Sequence, residues 1–208
     1  MLITICGPSC AGKDTLEKTI LRDKENYDVK KITSYTTRKI RPGEKDGVDY
    51  NFVSMDKFKE MINNNELLEY VEYTPGTFYG TLLNDVIKAG KSEEIFTMIK
   101  TPDGVKDIIK TVGEDYVLVV GIDSPLKTKV ERFVNRAGND FNMEQMDNLY
   151  YRIKNDDKTF ADLKEISDIF INNDGTTDID KFAGVVVDEA KRMICVNKAF
   201  NYEEEYDY

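Results

Sequence analysis

Gly7-Pro8-Ser9-Cys10-Ala11-Gly12-Lys13 lies between a short apolar run, Leu2-Ile3-Thr4-Ile5-Cys6, and a stretch with helical spacing in which Leu16 and Ile20 stand four apart. A glycine-bearing loop that leaves a buried strand and opens a helix is suited to phosphate. Successive backbone N–H groups form a concave nest, and the helix start adds its positive end. Gly12 admits close backbone approach, and Lys13 brings a mobile charge to the outer phosphates. The residue after such a lysine is normally Ser or Thr, whose hydroxyl helps hold Mg²⁺. Here it is Asp14, followed by Thr15. The Asp14 carboxylate has two readings, a magnesium ligand in its own right or a favourable charge at a helix start.

A second block, Ser34-Tyr35-Thr36-Thr37-Arg38-Lys39-Ile40-Arg41-Pro42-Gly43-Glu44, continues through Lys45-Asp46-Gly47-Val48-Asp49-Tyr50-Asn51-Phe52-Val53. Two arginines three apart, with the Ser34 and Tyr50 hydroxyls nearby, suit a phosphate monoester dianion. A solvated surface stripe is the other reading, and it leaves an unpaired arginine couple beside glycine-rich turns without a purpose. A third group is cationic. Arg132 and Arg136 are four apart on a predicted helix and so share a face, and Arg152 lies on the next long helix. Near a phosphate loop these arginines read as a lid that neutralises charge and excludes water. Isolated, they would read as solvated helix charge.

The elements that must position these groups alternate. Predicted strands at 2–6, 50–53, 68–73, 95–99, 116–120 and 168–172 are separated by predicted helices. Ser54 caps one helix, Ser124-Pro125 opens another, Asn142 with Gln145 opens a third, and the last runs over 179–193. Alternation of this kind implies an α/β fold with a parallel sheet. The polar stretch 39–81, rich in Tyr, Asn and Glu, breaks the rhythm and reads as an inserted subdomain, and 127–157 as a second, helical insertion. The acidic, Tyr-rich tail reads as disordered.

Composition narrows the chemistry. The 208 residues carry 29 Lys and Arg against 39 Asp and Glu, a net charge of −10, which argues against nucleic-acid binding by bulk positive charge. The three cysteines, Cys6, Cys10 and Cys195, fit neither a disulfide framework nor a zinc motif. The absence of histidine removes Ser-His-Asp and Cys-His catalysis. No apolar run reaches the ~20 residues of a membrane helix, and Leu2–Cys6 is too short for a signal-peptide core. A cytoplasmic protein, without membrane or nucleic-acid partners, is expected.

The second block resembles the guanylate kinase signature S-x-T-T-R-x-x-R-x-G-E-x-x-G-x-D-Y-x-F, and further family marks follow at Leu68-Glu69-Tyr70 and Phe78-Tyr79-Gly80-Thr81. Arg132-Phe133-Val134-Asn135-Arg136-Ala137-Gly138 is similar to the family's R-L-x-x-R-G. Asp168-Ile169-Phe170-Ile171-Asn172-Asn173-Asp174 is similar to its D-x-x-I-x-N-D ending. The resemblance implies a P-loop parallel-sheet core (about 1–33, 91–123 and 158–192), a nucleoside-monophosphate-binding subdomain (about 34–90) and a helical lid (about 124–157). It makes 1–192 the kinase-like domain and 193–208 the tail.

The same resemblance implies phosphoryl transfer from ATP, with Mg²⁺, to GMP or dGMP in a monomer or homodimer. Gly7, Pro8, Ser9, Cys10, Ala11, Gly12, Lys13, Asp14, Thr15 and Asn173 would meet ATP. Ser34, Arg38, Arg41, Tyr50, Glu69, Tyr79, Thr81 and Thr101 would meet GMP. Lys13, Arg38, Arg132, Arg136 and Arg152 would serve catalysis. No general base is required, because a phosphate oxygen is already a nucleophile. One departure bears on both metal and base. The family's strand end resembles D-I-D-x-Q-G, and alignment on Gly104 puts Ile99 and Thr101 where the aspartates stand. Asp14 would then take over the lost metal-binding charge. Two other functions stay open: a nucleoside monophosphate kinase of different base preference, which the missing carboxylate at Thr101 suggests, or a non-catalytic binding module such as the resemblance also allows. Retention of Lys13 and the loop glycines argues against the module.

Overall fold

The computed structural model describes residues 1–22, 28–41 and 43–204. Nine strands and eight α-helices are present among them, beginning β1(Leu2–Cys6), α1(Lys13–Arg22), β2(Val29–Lys31), β3(Tyr35–Thr36), β4(Asn51–Phe52) and α2(Met55–Asn63). β5(Leu67–Thr74), β6(Thr77–Leu82), α3(Leu83–Gly90), β7(Ile95–Lys100), α4(Pro102–Val112) and β8(Val117–Asp123) follow. The chain continues with α5(Leu126–Ala137), α6(Met143–Thr159), α7(Leu163–Ile166), β9(Ile169–Asn172) and α8(Ile179–Glu204).

The apolar run Leu2–Cys6 is buried throughout because it is the central strand of an all-parallel sheet, order β2-β7-β1-β8-β9, covered on both faces. On one face Leu16 and Ile20 of α1 and Ala183, Val186, Val187 and Ala190 of α8 pack on Ile3, Ile5, Leu118, Val120 and Ile122. On the other, Val86 and Ala89 of α3, Val105 and Ile108 of α4 and Leu163 pack on Leu2, Met98, Val117 and Val119. Leu16 and Ile20 are fully buried. Truncating either to Ala would cost about 2–5 kcal/mol and loosen the helix that follows the phosphate loop.

Register fixes where the functional loops emerge. Cys6 pairs with Lys100 and Gly121, and Asp123 pairs with Asn172. The C-terminal ends of β1, β7, β8 and β9 therefore lie in one row, the edge at which open α/β sheets take ligands. A second sheet, order β4-β3-β6-β5, is built from the inserted segment, with Glu69 opposite Thr81 and Val71 opposite Tyr79. Ser54 caps α2 by accepting from the Lys57 amide, and α2 buries Phe58 against Phe78 and Tyr70.

Three expectations need correction. Ser124 does not cap α5; Pro125 holds that position, and the Ser124 hydroxyl serves the phosphate loop instead. The last helix does not stop at Met193, nor is the tail irregular from that point, because α8 runs to Glu204. Met193 and Ile194 still pack on the core, Asn197 donates to the Asp115 carbonyl, and Lys198 pairs with Glu93 at 3.0 Å, so the helix gains tertiary support past its expected end. Residues 205–208 of the tail, and Pro42, lie outside the described residues. The edge strand β2 had no sequence signal beyond Val29: two of its three residues are lysines.

Candidate active site

The loop between β1 and α1 is held from beneath. Arg132 of α5 donates through Nη1 to the carbonyls of Cys10 (3.1 Å) and Ala11 (3.0 Å) and to Ser124 Oγ (2.8 Å). Its Nη2 meets Asn173 O at 3.4 Å and Oδ1 at 3.1 Å. Ser124 Oγ and Asn173 Nδ2 also donate to the Ala11 carbonyl, at 3.1 and 2.9 Å. A trans peptide points its C=O and N–H in opposite directions. With the Ala11 carbonyl drawn down, the Gly12 N–H faces the other side, as a phosphate nest requires. Gly12 has φ 111°, and a Cβ there would stand 2.5 Å from Asn173 Nδ2. Gly7 is tighter still: its Cβ would lie 2.0 Å from the Ile122 carbonyl. Both glycines are therefore fixed by close approach.

Lys13 folds back onto its loop, donating to the Gly7 and Pro8 carbonyls at 2.7 and 2.8 Å. Burial lowers its pKa, and the Asp14 and Asp156 carboxylates offset part of that. Burial pushes the neighbouring Cys6 thiol up to about 12, so it is no nucleophile. Asp14 and Thr15 are exposed in the first turn of α1. Among the described residues no group of three His, Cys, Asp or Glu side chains gathers to hold a metal. Magnesium commonly takes only one or two carboxylates plus substrate phosphates, so a lone Asp14 at this mouth fits that mode.

The acceptor-side residues form two adjoining clusters. In the first, Arg38 makes a bidentate pair with Glu44 (Nη1 3.0 Å, Nη2 2.8 Å), and its Nε donates to the Tyr79 hydroxyl at 3.2 Å. Its guanidinium lies 5.5 Å from the Tyr50 and Phe52 ring centres, and Tyr50 meets Tyr79 edge-on. Burial opposes the Arg38 charge, but Glu44 and Tyr79 outweigh it and hold its pKa above the ordinary value. Arg38 is thus paired, whereas the sequence reading left both arginines unpaired. Glu44 orients Arg38 and accepts from the Arg41 amide, while the Arg41 side chain is exposed. In the second cluster Ser34 Oγ and Thr81 Oγ1 are 3.2 Å apart, and Lys100 Nζ donates to both Thr81 Oγ1 and Glu69 Oε1, the latter at 2.6 Å. Thr101 stands apart from it: its hydroxyl accepts from the Gly104 amide as the N-cap of α4.

The lid-side arginines have separate partners in this structure. Arg132 is spent on the loop's underside. Arg136 is exposed, stacks on Phe133 and reaches Cys10 Sγ at 3.6 Å. Arg152 bonds Asn148 at 2.6 Å and stacks on Tyr73. Tyr73 is itself 3.1 Å from Ser9 Oγ and edge-on to Tyr79, which joins the loop to the acceptor cluster. Sequence reasoning passed over Lys100, Asp156, Tyr73 and the buttressing role of Ser124. The Ser9 amide donates to Asp156 Oδ2 at 2.7 Å, so a carboxylate from α6 sits on a phosphate-loop N–H. A signal existed for Lys100 alone, since a lysine ending the apolar run Ile95–Ile99 needs a buried partner.

A family model described as guanylate kinase matches residues 1–188. The guanylate kinase of Lactococcus lactis is 42% identical over 118 residues, which is 50% of this chain and 55% of that protein. That of Streptococcus pneumoniae is 30% identical over 206 residues, covering 99% of this chain and 93% of its own length. The chain thus spans about half the length of some curated relatives that it matches and nearly all of another. A crystal structure of guanylate kinase from Anaplasma phagocytophilum superposes with a TM-score of 0.62 at 22% identity, over 92% of this chain and 85% of that one, a likeness of fold.

Proposed function

Because the chain belongs to the guanylate kinase family, we propose that it transfers the γ-phosphoryl group of ATP directly and in line to GMP or dGMP. The observation that supports this reading is the chain of contacts from Ser9 through Tyr73 and Tyr79 to Arg38, which sets a cationic acceptor cluster against the phosphate loop. In this reading 34–90 is the acceptor subdomain, 124–157 the lid and the remainder of 1–192 the core. The loop 7–15 and Asn173 hold ATP. Arg38 and Arg41, with Ser34, Tyr50 and Tyr79, hold the acceptor phosphate. Glu69 and Thr81 face the base, and Thr101 acts by starting α4 beside them. Lys13, Arg136 and Arg152 neutralise charge on the transferred group, and Arg132 holds the loop that cradles it. Mg²⁺ would be held by Asp14 together with the nucleotide phosphates, and when bound it neutralises phosphate charge. No helix among the described residues is long and apolar enough to cross a membrane, and a cytoplasmic monomer or homodimer with ready access to ATP is the setting we assign.

ADP release measured by a coupled assay across GMP, dGMP, AMP, CMP and UMP, with and without Mg²⁺, tests this. Turnover with a guanine nucleotide that needs Mg²⁺ and is lost by orders of magnitude in Lys13→Ala, with the fold retained, is expected. A Lys13→Ala protein with ordinary turnover would remove the loop from the mechanism. A chain that binds neither ATP nor GMP would leave only the non-catalytic reading.

A further inference from the structure

Lys100 ends β7 on the face shared with Phe96 and Met98, which pack among Val86, Ala89, Val105 and Ile108. It is 8% exposed. An ammonium in such a wall is costly unless it is paired and hydrogen-bonded. Its partners are Glu69 Oε1 and Thr81 Oγ1, and Thr81 in turn meets Ser34. These are the side chains that the family resemblance assigns to the acceptor, and the family pattern carries isoleucine, not lysine, between its two aspartates.

Counting donors and acceptors shows what the cluster leaves open. An ammonium has three N–H bonds and a carboxylate two oxygens. Among the described residues, Lys100 uses two of its N–H bonds and Glu69 uses Oε1 alone. The Glu69 side chain keeps 16% of its surface exposed and that of Lys100 5%, so the pair retains a narrow open edge, mainly on the Glu69 side. That edge sets an N–H donor beside a carboxylate acceptor. Its complement is a carbonyl beside an N–H, the 6-oxo and N1–H edge of guanine or hypoxanthine. Adenine offers the reverse, a 6-amino donor beside a bare ring nitrogen, and would meet like with like. The 2-amino group of guanine needs a further acceptor. Glu69 Oε1 already accepts from the Lys100 ammonium, which weakens it as an acceptor for a second donor, and the Thr101 hydroxyl is turned to the Gly104 amide.

We propose that Lys100 is a base-reading residue: its ammonium sets Glu69 and gives its remaining N–H to the 6-oxo group of the acceptor. The pocket then takes 6-oxopurine nucleoside monophosphates, GMP and IMP alike, and does not read the 2-amino group. This deepens, and rests on, the phosphoryl-transfer reading of the same site. A merely structural tie between the two sheets would affect all acceptors equally.

The test is kcat and KM of the full chain with ATP and GMP, IMP or AMP, in wild type, Lys100→Met and Lys100→Arg. Wild-type kcat/KM for IMP should lie within about tenfold of GMP, and AMP should lie at least about 10³-fold below both. In Lys100→Met, GMP and IMP should each fall about 10–100-fold, the scale of a lost pair of base contacts, while AMP does not fall and KM for ATP stays within twofold. Lys100→Arg, which keeps the cation, should retain most of the oxo-over-amino preference, and it carries the test if Lys100→Met does not fold. A wild type that uses GMP but takes IMP more than tenfold less well overturns the proposal. So does a Lys100→Met variant in which GMP and AMP fall by the same factor. A wild type that phosphorylates none of the three instead defeats the kinase reading itself.

Discussion

Arg132→Ala should destabilise the protein as well as slow it, and the size of the effect follows from the acceptors it abandons. The Ala11 carbonyl keeps Asn173 Nδ2, and the Asn173 carbonyl keeps the single Ser124 O–H at 2.6 Å. The Cys10 carbonyl and Asn173 Oδ1 have no other partner among the described residues. Leaving two such groups unpaired costs about 2–4 kcal/mol in total, towards the lower end where water can reach Cys10. For a chain of this length that amounts to a Tm drop of roughly 4–16 °C. Arg136→Ala provides the contrast: an exposed side chain with one ring contact and one sulfur contact should cost no more than about 1 kcal/mol while lowering turnover. Urea unfolding of both variants, alongside kcat at saturating ATP and acceptor, separates the roles. If Arg132→Ala unfolds at the wild-type midpoint, the buttress argument fails and Arg132 belongs with the mobile lid cations.

Asp156→Ala removes the carboxylate that occupies the Ser9 amide, so ATP no longer has to displace it. Because that bond is charge-assisted but partly exposed, ATP should bind about three- to tenfold tighter by calorimetry, and unchanged or weaker binding would refute this. Asp14→Asn should raise the Mg²⁺ concentration needed for half-maximal rate by at least about threefold without changing Tm, as expected for loss of one carboxylate ligand; equal Mg²⁺ dependence would leave Asp14 a helix-start charge. Glu17 is buried on α1, with Lys31 at 3.0 Å and Oε1 unpartnered. Burial raises its pKa, with Asp14 adding and Lys31 and Lys18 opposing. The folded state therefore holds its proton more tightly than the unfolded chain, and stability should decline as pH rises from the unfolded carboxylate value, about 4.3, through the raised folded one. Glu17→Gln should flatten that part of the unfolding-versus-pH curve, and an identical slope in the variant would argue against the assignment.

What was legible in the chain was what is local. The loop 7–13 reads from a strand, two glycines and a lysine in a row, and the cap of α2 from Ser54. The acceptor block reads from Arg38, Arg41 and Tyr50 within one short segment. Partnerships made by tertiary approach were not legible. Lys100 meets Glu69 across 31 residues, Ser9 meets Asp156 across 147, and Arg132 meets Cys10 across 122. Arg132 carried a helical signature that gave its face but not what the face touches. Ser124 before Pro125 looked like a cap because capping is the local use of a serine, and the loop's carbonyls competed successfully for its hydroxyl. The length of α8 escaped because its support comes from Glu93 and Asp115, which sequence places far away.

The most direct measurement is the ³¹P NMR spectrum of the purified chain incubated with ATP, Mg²⁺ and GMP. The account requires ADP and GDP to grow in equal amounts as ATP and GMP decline, with no release of inorganic phosphate. Persistent ATP and GMP signals, or hydrolysis of ATP without a GDP resonance, would contradict it.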